Sequence, residues 1–482
     1  MQTIRLYKRI AQMLLALLMF ASLGCARSET PSATQSIEPV VIATDAPEAT
    51  AVITPVPQPQ LKYIFLFIGD GMGPAQIQTA SEALAAGGLK PLSFLDFPVK
   101  GSQKTASYDG SVTDSAAAAT AISTGKKTIN GYLGLDADKN RIETIAEALR
   151  NDGRKIGILT TVSLDHATPA GFYAHVDSRR SYANITDDLF ASGFDFFAGG
   201  GFHSTPDAAD RALENGYTLI HSFEEAPVST DGNLILSSNL IFGDYGLLPA
   251  IDGGARANWL EKATDLAIAR LTAPEGFFMI VEGGRIDYFC HYNDAGSFVA
   301  ELIDMDEAVQ RALAFYAQHP QETLILVTAD HETGDVSLTE GDRTALLKQT
   351  ISSDISDNTL VQECLAAKTP FEEALPLFAS AFGLDNLTDA ETTFLKEAYI
   401  KTFYQNAPGG NDEEYGTYEP ITTACIDLVA ARAGVRFGSG GHTGKDVAVY
   451  AIGVGSEFFA GTYENTNLHD ALLQAIAAYP LS

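Results

Sequence analysis

Cysteine and tryptophan are scarce in this chain of 482 residues, which has four cysteines and one tryptophan. The cysteines are Cys25, Cys290, Cys364 and Cys425, too few for a disulfide framework in a chain of this length. Apolar residues make up 46% of the sequence, so a large packed core can stabilise the fold without covalent cross-links. The sequence therefore predicts a globular protein of one large domain or two ordinary ones.

Basic residues are also few, with 31 lysines and arginines against 61 aspartates and glutamates. The net charge of -30 argues against binding to nucleic acid or to an anionic membrane surface, because there is no basic surface to displace counterions from phosphates. The same charge repels phosphorylated substrates unless bound metal ions reverse the local field.

Long apolar runs are missing, and the run from Met13 to Phe20 is too short to span a membrane. It follows three basic residues and precedes small ones, a pattern typical of an export signal over residues 1–24. Cys25 after a glycine resembles a bacterial lipoprotein cleavage site, although Ser22 stands where such sites usually carry leucine. Residues 25–60 are rich in proline, threonine and alanine and predict a disordered tether. We expect an exported protein, either a cell-surface lipoprotein whose only membrane contact is a lipid on Cys25 or a periplasmic or extracellular one.

From residue 61 to residue 482 the pattern becomes a repeated one of apolar strand, polar loop and helix. Helical patterns run from Ile142 to Leu149 and from Glu301 to His319. This alternation predicts an α/β fold with a doubly wound, mostly parallel sheet flanked by helices, whose ligands bind beyond the carboxyl ends of the strands. The predicted strands are Tyr63–Ile68, Lys155–Thr160, Phe277–Val281, Thr323–Thr328 and Val447–Gly453.

Residues 346–435 interrupt the alternation with stretches that are mainly helical, over Phe371–Phe382 and Asp389–Phe403. We interpret this segment as an insertion or cap. It also holds an acidic loop over Asn411–Glu419, which lacks regular calcium-ligand spacing and is more typical of a solvated loop.

Carboxylates and histidines follow the predicted strands. Asp287 and His291 are four residues apart, so on a helical turn they share one face and can bind one metal ion. Glu282 precedes them and could serve a second centre. Each of these side chains could instead be an ordinary loop or turn residue, and it is their recurrence at several strand ends that favours a metal site. The other candidates are Asp70, the pair Asp330 and His331, and His442.

Ser115 begins an alanine-rich stretch that predicts a helix. Asp114 and Ser115 could simply cap that helix. Alternatively, the free amide groups favour an anion there, and a nearby dication would make the serine hydroxyl a nucleophile. Arg179 follows in a loop and could hold two phosphate oxygens, or it could form a surface ion pair.

Seven motifs together resemble the alkaline phosphatase family. The resemblance covers nearly everything from residue 61 to the end except the helical insertion, and the motifs occur in family order. They are GDGMG at 69–73, TDSAAAATA at 113–121, HATPA at 166–170, HVDSR at 175–179, EGGRID at 282–287 with His291, TADHETG at 328–334 and GGHTG at 440–444.

The resemblance implies a catalytic domain over residues 61–482 that hydrolyses phosphate monoesters and uses two Zn²⁺ and one Mg²⁺. It assigns Ser115 as the nucleophile, which forms a phosphoserine, and Arg179 as the phosphate ligand. Family members are usually dimers, so the resemblance is compatible with a homodimer. The implied metal ligands are Asp287, His291 and His442 for the first zinc, Asp70, Asp330 and His331 for the second, and Asp70, Thr168 and Glu282 for magnesium.

Two residues depart from the common family pattern. His166 stands where many bacterial members have aspartate, and Tyr288 occupies a position that is usually histidine or lysine. The resemblance places both near the third metal and the substrate phosphate, so we expect them to affect magnesium binding and substrate binding. Tyr288 could also pack as an ordinary aromatic residue.

Two other functions stay open at this stage. One is a phosphodiesterase or sulfatase of the same superfamily, although the sulfatase motif is absent around Ser115. The other is a non-catalytic surface lipoprotein that binds metal or phosphate, which the tether favours and the intact nucleophile and ligand set oppose.

Overall fold

The computed structural model describes residues 58–203, 205–243, 246–405 and 418–481. The predicted export signal over residues 1–24, Cys25, and most of the predicted tether and acidic loop lie outside these ranges, so they stay predictions. The other three cysteines are buried and free.

Strands of the described residues are numbered in chain order. They are β1 (Tyr63–Gly69), β2 (Val99–Lys104), β3 (Lys155–Thr160), β4 (Phe196–Gly199), β5 (Tyr217–Ile220), β6 (Asn233–Ser237), β7 (Phe277–Gly283), β8 (Thr323–Ala329), β9 (Glu332–Thr333), β10 (Ser337–Leu338), β11 (Val435–Arg436), β12 (His442–Thr443), β13 (Val447–Gly453) and β14 (Gly461–Glu464).

Helices are numbered in the same way. They are α1 (Pro74–Ala86), α2 (Ser115–Thr124), α3 (Ile145–Asn151), α4 (Ala167–Ala170), α5 (Tyr182–Ser192), α6 (Ala208–Glu214), α7 (Trp259–Leu271), α8 (Arg285–His291), α9 (Ala295–Tyr316), α10 (Ser353–Ile355), α11 (Gln362–Ala367), α12 (Phe371–Ala381), α13 (Asp389–Ile400), α14 (Pro420–Ala433) and α15 (Thr466–Ala478).

Ten of the strands form one sheet in the order β14-β2-β13-β8-β1-β7-β3-β4-β6-β5. Neighbouring strands are parallel except where β13 pairs with β2 and with β8. Non-consecutive strands are adjacent, as when β1 lies between β7 and β8, so the chain crosses over through helices on both faces. The predicted fold class, a doubly wound and mostly parallel sheet, is confirmed.

The five predicted strands are all present, and three of them run one or two residues further than predicted. β1 and β8 each end one residue later, and β7 continues through Glu282 to Gly283. Glu282 therefore lies within its strand, where we had expected it just beyond the end. Helix α3 begins at Ile145 because Thr144 caps it, and Ile142 lies outside it.

The helical segment over residues 346–435 packs into the main core. Phe378, Leu395 and Ile426 belong to the same buried cluster as Phe65 and Phe67 of the central strand β1. The described part of this segment is mainly helical, as predicted. Among the described residues, no helix combines the length and the apolar character that a membrane span requires.

Candidate active site

The carboxyl edge of three central strands carries the first group of polar side chains. In the sheet register Ile68 of β1 lies beside Glu282 of β7 and beside Thr328 of β8. Asp70 and Asp330, each two residues beyond that level, therefore emerge next to each other and next to Glu282. Parallel pairing alone brings Asp70 together with two carboxylates that lie more than 200 residues further along the sequence.

The turn after β1 requires glycine at position 71. Gly71 has a φ of +71°, and a Cβ there would lie 2.7 Å from Oδ1 of Asp287. The turn can therefore bring Asp70 against α8 only without a side chain at this position. The Gly71 amide donates to Oδ1 of Asp330 at 3.2 Å, which joins the ends of β1 and β8.

Asp287, His291 and His442 converge as predicted. Asp287 and His291 lie one turn apart on α8, with Oδ2 of the aspartate 3.1 Å from Nε2 of the histidine. His442 reaches them because β12 pairs with β9, which follows β8. Its Nε2 lies 3.2 Å from Nε2 of His291 and 3.7 Å from Oδ1 of Asp287.

Asp70, Asp330 and His331 form a second group. Nε2 of His331 lies 3.4 Å from Oδ1 of Asp70 and 3.3 Å from Oδ2 of Asp330. All three side chains are fully buried. His331 also closes a group with Asp287 and His442, and its ring stacks on that of His442 with centroids 3.6 Å apart, so the two groups are contiguous.

A third group surrounds the other oxygen of Asp70. Thr168, on α4, donates to Oδ2 of Asp70 at 3.3 Å. Asp70, Glu282 and His166 bring one ligand atom each within 4.8 Å of one another. His166 borders this group, near which the family resemblance places it, with its Nδ1 3.7 Å from Oε1 of Glu282.

His291, His331 and His442 are each oriented by a contact of the Nδ1 atom. Nδ1 of His442 contacts the Thr113 carbonyl at 2.9 Å, Nδ1 of His331 contacts the Thr333 hydroxyl at 3.3 Å, and Nδ1 of His291 contacts the Gly440 carbonyl. Nε2 of each ring consequently faces the site, which is the arrangement that metal-binding histidines usually have. Burial lowers the pKa of His331 and His442, and so favours the neutral ligand form.

The carboxylates lie close together, and some of their oxygens lack hydrogen-bond partners among the described residues. Burial, together with the charges of neighbouring carboxylates, raises the pKa of Asp70 well above its ordinary value and that of Asp330 to about 8. Asp70 Oδ1, Glu282 Oε1 and Asp330 Oδ2 are buried and have no hydrogen-bond partner among the described residues. Bound dications would satisfy these lone pairs and compensate the repulsion, so the residues present fit metal ions.

Ser115 is the first residue of α2, as the sequence predicted. Asp114 caps the helix by accepting from the Ala117 amide at 2.9 Å. Oγ of Ser115 lies 3.3 Å from Nε2 of His331. The hydroxyl therefore faces the second group of ligands, at a helix N-terminus that favours negative charge.

Arg179 lies between Asp114 and His166. Its Nη1 donates to Oδ2 of Asp114 at 3.3 Å, and its Nη2 lies 3.3 Å from Nε2 of His166. The ring of Tyr288 stands nearly perpendicular to that of His166, with centroids 6.0 Å apart. His166 thus contacts Arg179, Tyr288 and the third group at once.

One cavity connects these residues to solvent. It has a volume of about 830 Å³, within the range of about 300–1,000 Å³ that is typical of small-molecule sites. Thr113, Asp114, His166, Arg179, Tyr288, His291 and His442 line part of it.

The helical segment over residues 346–435 contacts α8 through an ion pair and an aromatic pair. Nη2 of Arg285 lies 2.5 Å from Oδ2 of Asp354, which belongs to α10 in the insertion. Tyr418 donates to the other oxygen of Asp354 at 2.5 Å, and its ring packs on Tyr292 with centroids 4.4 Å apart. Because α8 carries Asp287 and His291, the insertion supports the residues that would bind the first metal.

Replacing Asp354 with asparagine is expected to lower the free energy of unfolding by about 3 kcal/mol, because the variant leaves the buried Arg285 guanidinium without its anion. Urea denaturation measures the loss. Glu363→Gln, an exposed substitution in the same insertion, is the matched control and should leave the midpoint unchanged. Equal stability of the Asp354→Asn protein and the wild type would contradict this role for the ion pair.

An open, mostly parallel sheet whose carboxyl edge carries three contiguous groups of histidines and carboxylates defines an α/β metalloprotein. The chain belongs to the alkaline phosphatase family: the family model described as "Alkaline phosphatase" matches residues 61–195 and 239–478. This confirms the predicted family, and the chain is an enzyme of that family.

Known proteins agree with this assignment. The chain is 31% identical to alkaline phosphatase 3 of Bacillus subtilis (strain 168) over 436 residues, covering 87% of this chain and 90% of the relative. It resembles the cold-active alkaline phosphatase of a psychrophilic Shewanella with a TM-score of 0.74 and 26% identity, covering 87% of this chain and all of that one. A mutant alkaline phosphatase from the Antarctic bacterium TAB5, with Mg bound in its M3 site, has a TM-score of 0.62 and 27% identity, covering 87% and 99% of the two chains.

Proposed function

We propose that this chain is an exported phosphomonoesterase in which Ser115 attacks phosphorus and becomes phosphorylated. The observation that carries the proposal is the position of its hydroxyl. Oγ of Ser115 lies 3.3 Å from Nε2 of His331, at the start of a helix, next to the three groups of candidate ligands. Arg179 and Asp114, the residue before Ser115, line the cavity described above, and the guanidinium is a two-pronged donor for phosphate oxygens.

The site would hold two zinc ions and one magnesium ion. Sets of nitrogen and oxygen donors suit zinc, so we assign Asp287, His291 and His442 to one ion and Asp70, Asp330 and His331 to the other. The oxygen donors of Asp70, Thr168 and Glu282 suit magnesium. When bound, these ions would neutralise the charge of the phosphate and polarise the attacking and leaving oxygens.

The chain's own residues supply position and charge. Asp114 caps α2 and also accepts from Arg179, so one carboxylate fixes both the helix that carries the nucleophile and the proposed phosphate ligand. The amides and dipole of α2 favour the negative phosphate beside Ser115. Phosphoryl transfer depends mainly on positioning and charge stabilisation, which this arrangement provides.

A direct comparison of ester classes tests the proposal. The wild type should hydrolyse 4-nitrophenyl phosphate much faster than bis(4-nitrophenyl) phosphate or 4-nitrophenyl sulfate. Replacing Arg179 with lysine should lower kcat/KM for the monoester by about 10- to 100-fold, because it loses charge-assisted, two-pronged contacts. Arg141→Lys, at an exposed arginine that pairs with Glu147, is the matched control and should act like the wild type.

Preferred turnover of the diester would favour the phosphodiesterase alternative. Retention of metal ions without turnover of any of the three esters would favour a binding protein. An Arg179→Lys protein with wild-type kcat/KM would remove Arg179 from the proposed phosphate site.

A further inference from the structure

One wall of the catalytic cavity is formed by two aromatic side chains that the roles above do not use. The rings of Tyr182 and His203 are stacked, with centroids 4.0 Å apart and an interplanar angle of 26°. Both are partly buried, and both line the cavity that also contains Arg179 and His166. A group bound at Arg179 would therefore share its cavity with two aromatic rings.

Backbone contacts and a buried carboxylate hold this wall in place. The His203 amide donates to both oxygens of Asp165 at 2.9 Å, and Asp165 is fully buried next to His166. The Leu164 amide donates to the Gly201 carbonyl at 2.6 Å. The loop that carries His203 is thus fixed directly to the loop that carries His166.

His203 belongs to a part of the chain that the family model does not match. The match ends at residue 195 and resumes at residue 239, and β4, β5, β6 and the loop with His203 lie between. Tyr182, at the start of α5, lies within the matched part. The stacked pair therefore combines a residue inside the family match with a residue outside it.

The cavity volume of about 830 Å³ leaves room beside the phosphate for a sizeable leaving group. Aromatic rings stack favourably on planar rings, and such contacts discriminate against groups that offer no flat face. We propose that Tyr182 and His203 form a leaving-group subsite that selects phosphate monoesters of planar aromatic compounds, such as aryl phosphates and nucleoside monophosphates, over small alkyl ones. This inference rests on the proposed phosphomonoesterase function.

Three substrates test the subsite in the full-length, metal-loaded protein. Phenyl phosphate carries its ring on the ester oxygen, adenosine 5′-monophosphate carries its ring beyond a sugar, and 2-glycerol phosphate has no ring. Comparing each variant with the wild type cancels the intrinsic reactivity of the esters. In Tyr182→Leu and His203→Leu, the ratio of kcat/KM for a ring substrate to that for 2-glycerol phosphate should fall by about 5- to 100-fold, mainly through KM.

Two further variants separate stacking from structure. Tyr182→Phe keeps the ring and should restore the wild-type ratio. Phe202→Leu is the matched control, since Phe202 precedes His203 but packs on Phe190 with centroids 5.7 Å apart. It should leave the ratio unchanged. The ring substrate whose ratio falls more identifies whether the aryl or the nucleoside group reaches the stack.

An unchanged ratio, or an equal loss for all three substrates, would overturn the subsite while leaving the phosphomonoesterase standing. A wild-type protein that hydrolyses none of the three would overturn the proposed function and the subsite with it.

Discussion

Replacing Ser115 with alanine is expected to lower kcat for phosphate monoesters by about 10³-fold or more, the order of loss seen when an enzyme loses its nucleophile. Ser115 Oγ lies 3.3 Å from Nε2 of His331, and the residue is buried at the start of α2. Alanine is compatible with this helix position, so the fold and the metal ligands should persist. Steady-state kinetics and thermal unfolding of the same preparation measure the two effects separately.

Ser123→Ala provides a matched control on the same helix. Ser123 is buried eight residues after Ser115 and donates to the Gly171 carbonyl at 2.5 Å. Its replacement should keep kcat. Acid quenching during turnover should leave a phosphoryl group on Ser115, located by mass spectrometry, and none on the alanine variant. Full activity of Ser115→Ala, or a phosphoryl group on another residue, would disprove the nucleophile.

Local sequence patterns were sufficient to predict five strands of the ten-stranded sheet and most of the candidate ligands. The apolar run of β1 ends in a glycine-rich turn, which indicates where Asp70 emerges. The spacing of Asp287 and His291 indicates a shared helix face, and their atoms lie 3.1 Å apart. Patterns of this kind depend only on residues that are close in sequence.

The remaining features depend on contacts between distant segments. Asp114 was predicted only as a cap, yet it also contacts Arg179, 65 residues away. Thr333 of β9 donates to Oδ1 of Asp287 at 2.5 Å, a contact that was not predicted from the sequence. Its position two residues after His331 was a possible signal. No sequence periodicity predicts the stack of Tyr182 on His203 or the ion pair of Arg285 with Asp354. Sheet order and loop packing bring these residues together.

Removal of the divalent cations is expected to abolish activity and to destabilise the protein. Asp70, Glu282, Asp287 and Asp330 are each at most 2% exposed and lie on one sheet edge. Two like charges about 4 Å apart repel by roughly 4 kcal/mol at an effective dielectric constant of about 20. A cation at a thousand times its dissociation constant stabilises the native state by about 4 kcal/mol per site. The unfolding temperature should therefore fall on dialysis against a chelator and rise again when zinc and magnesium are restored.

Asp70→Asn makes this prediction specific, because Asp70 belongs to two of the ligand groups. Without cations the variant should unfold at a higher temperature than the wild type, since burial and neighbouring carboxylates raise the pKa of Asp70 and asparagine requires neither the buried charge nor the extra proton. With zinc and magnesium it should unfold at a lower temperature, since two sites have lost a ligand. The order of the two unfolding temperatures should therefore reverse as the metal concentration rises. This reversal distinguishes a metal site from a general effect of charge. A wild-type unfolding temperature and activity that do not respond to the chelator would contradict the metal assignment.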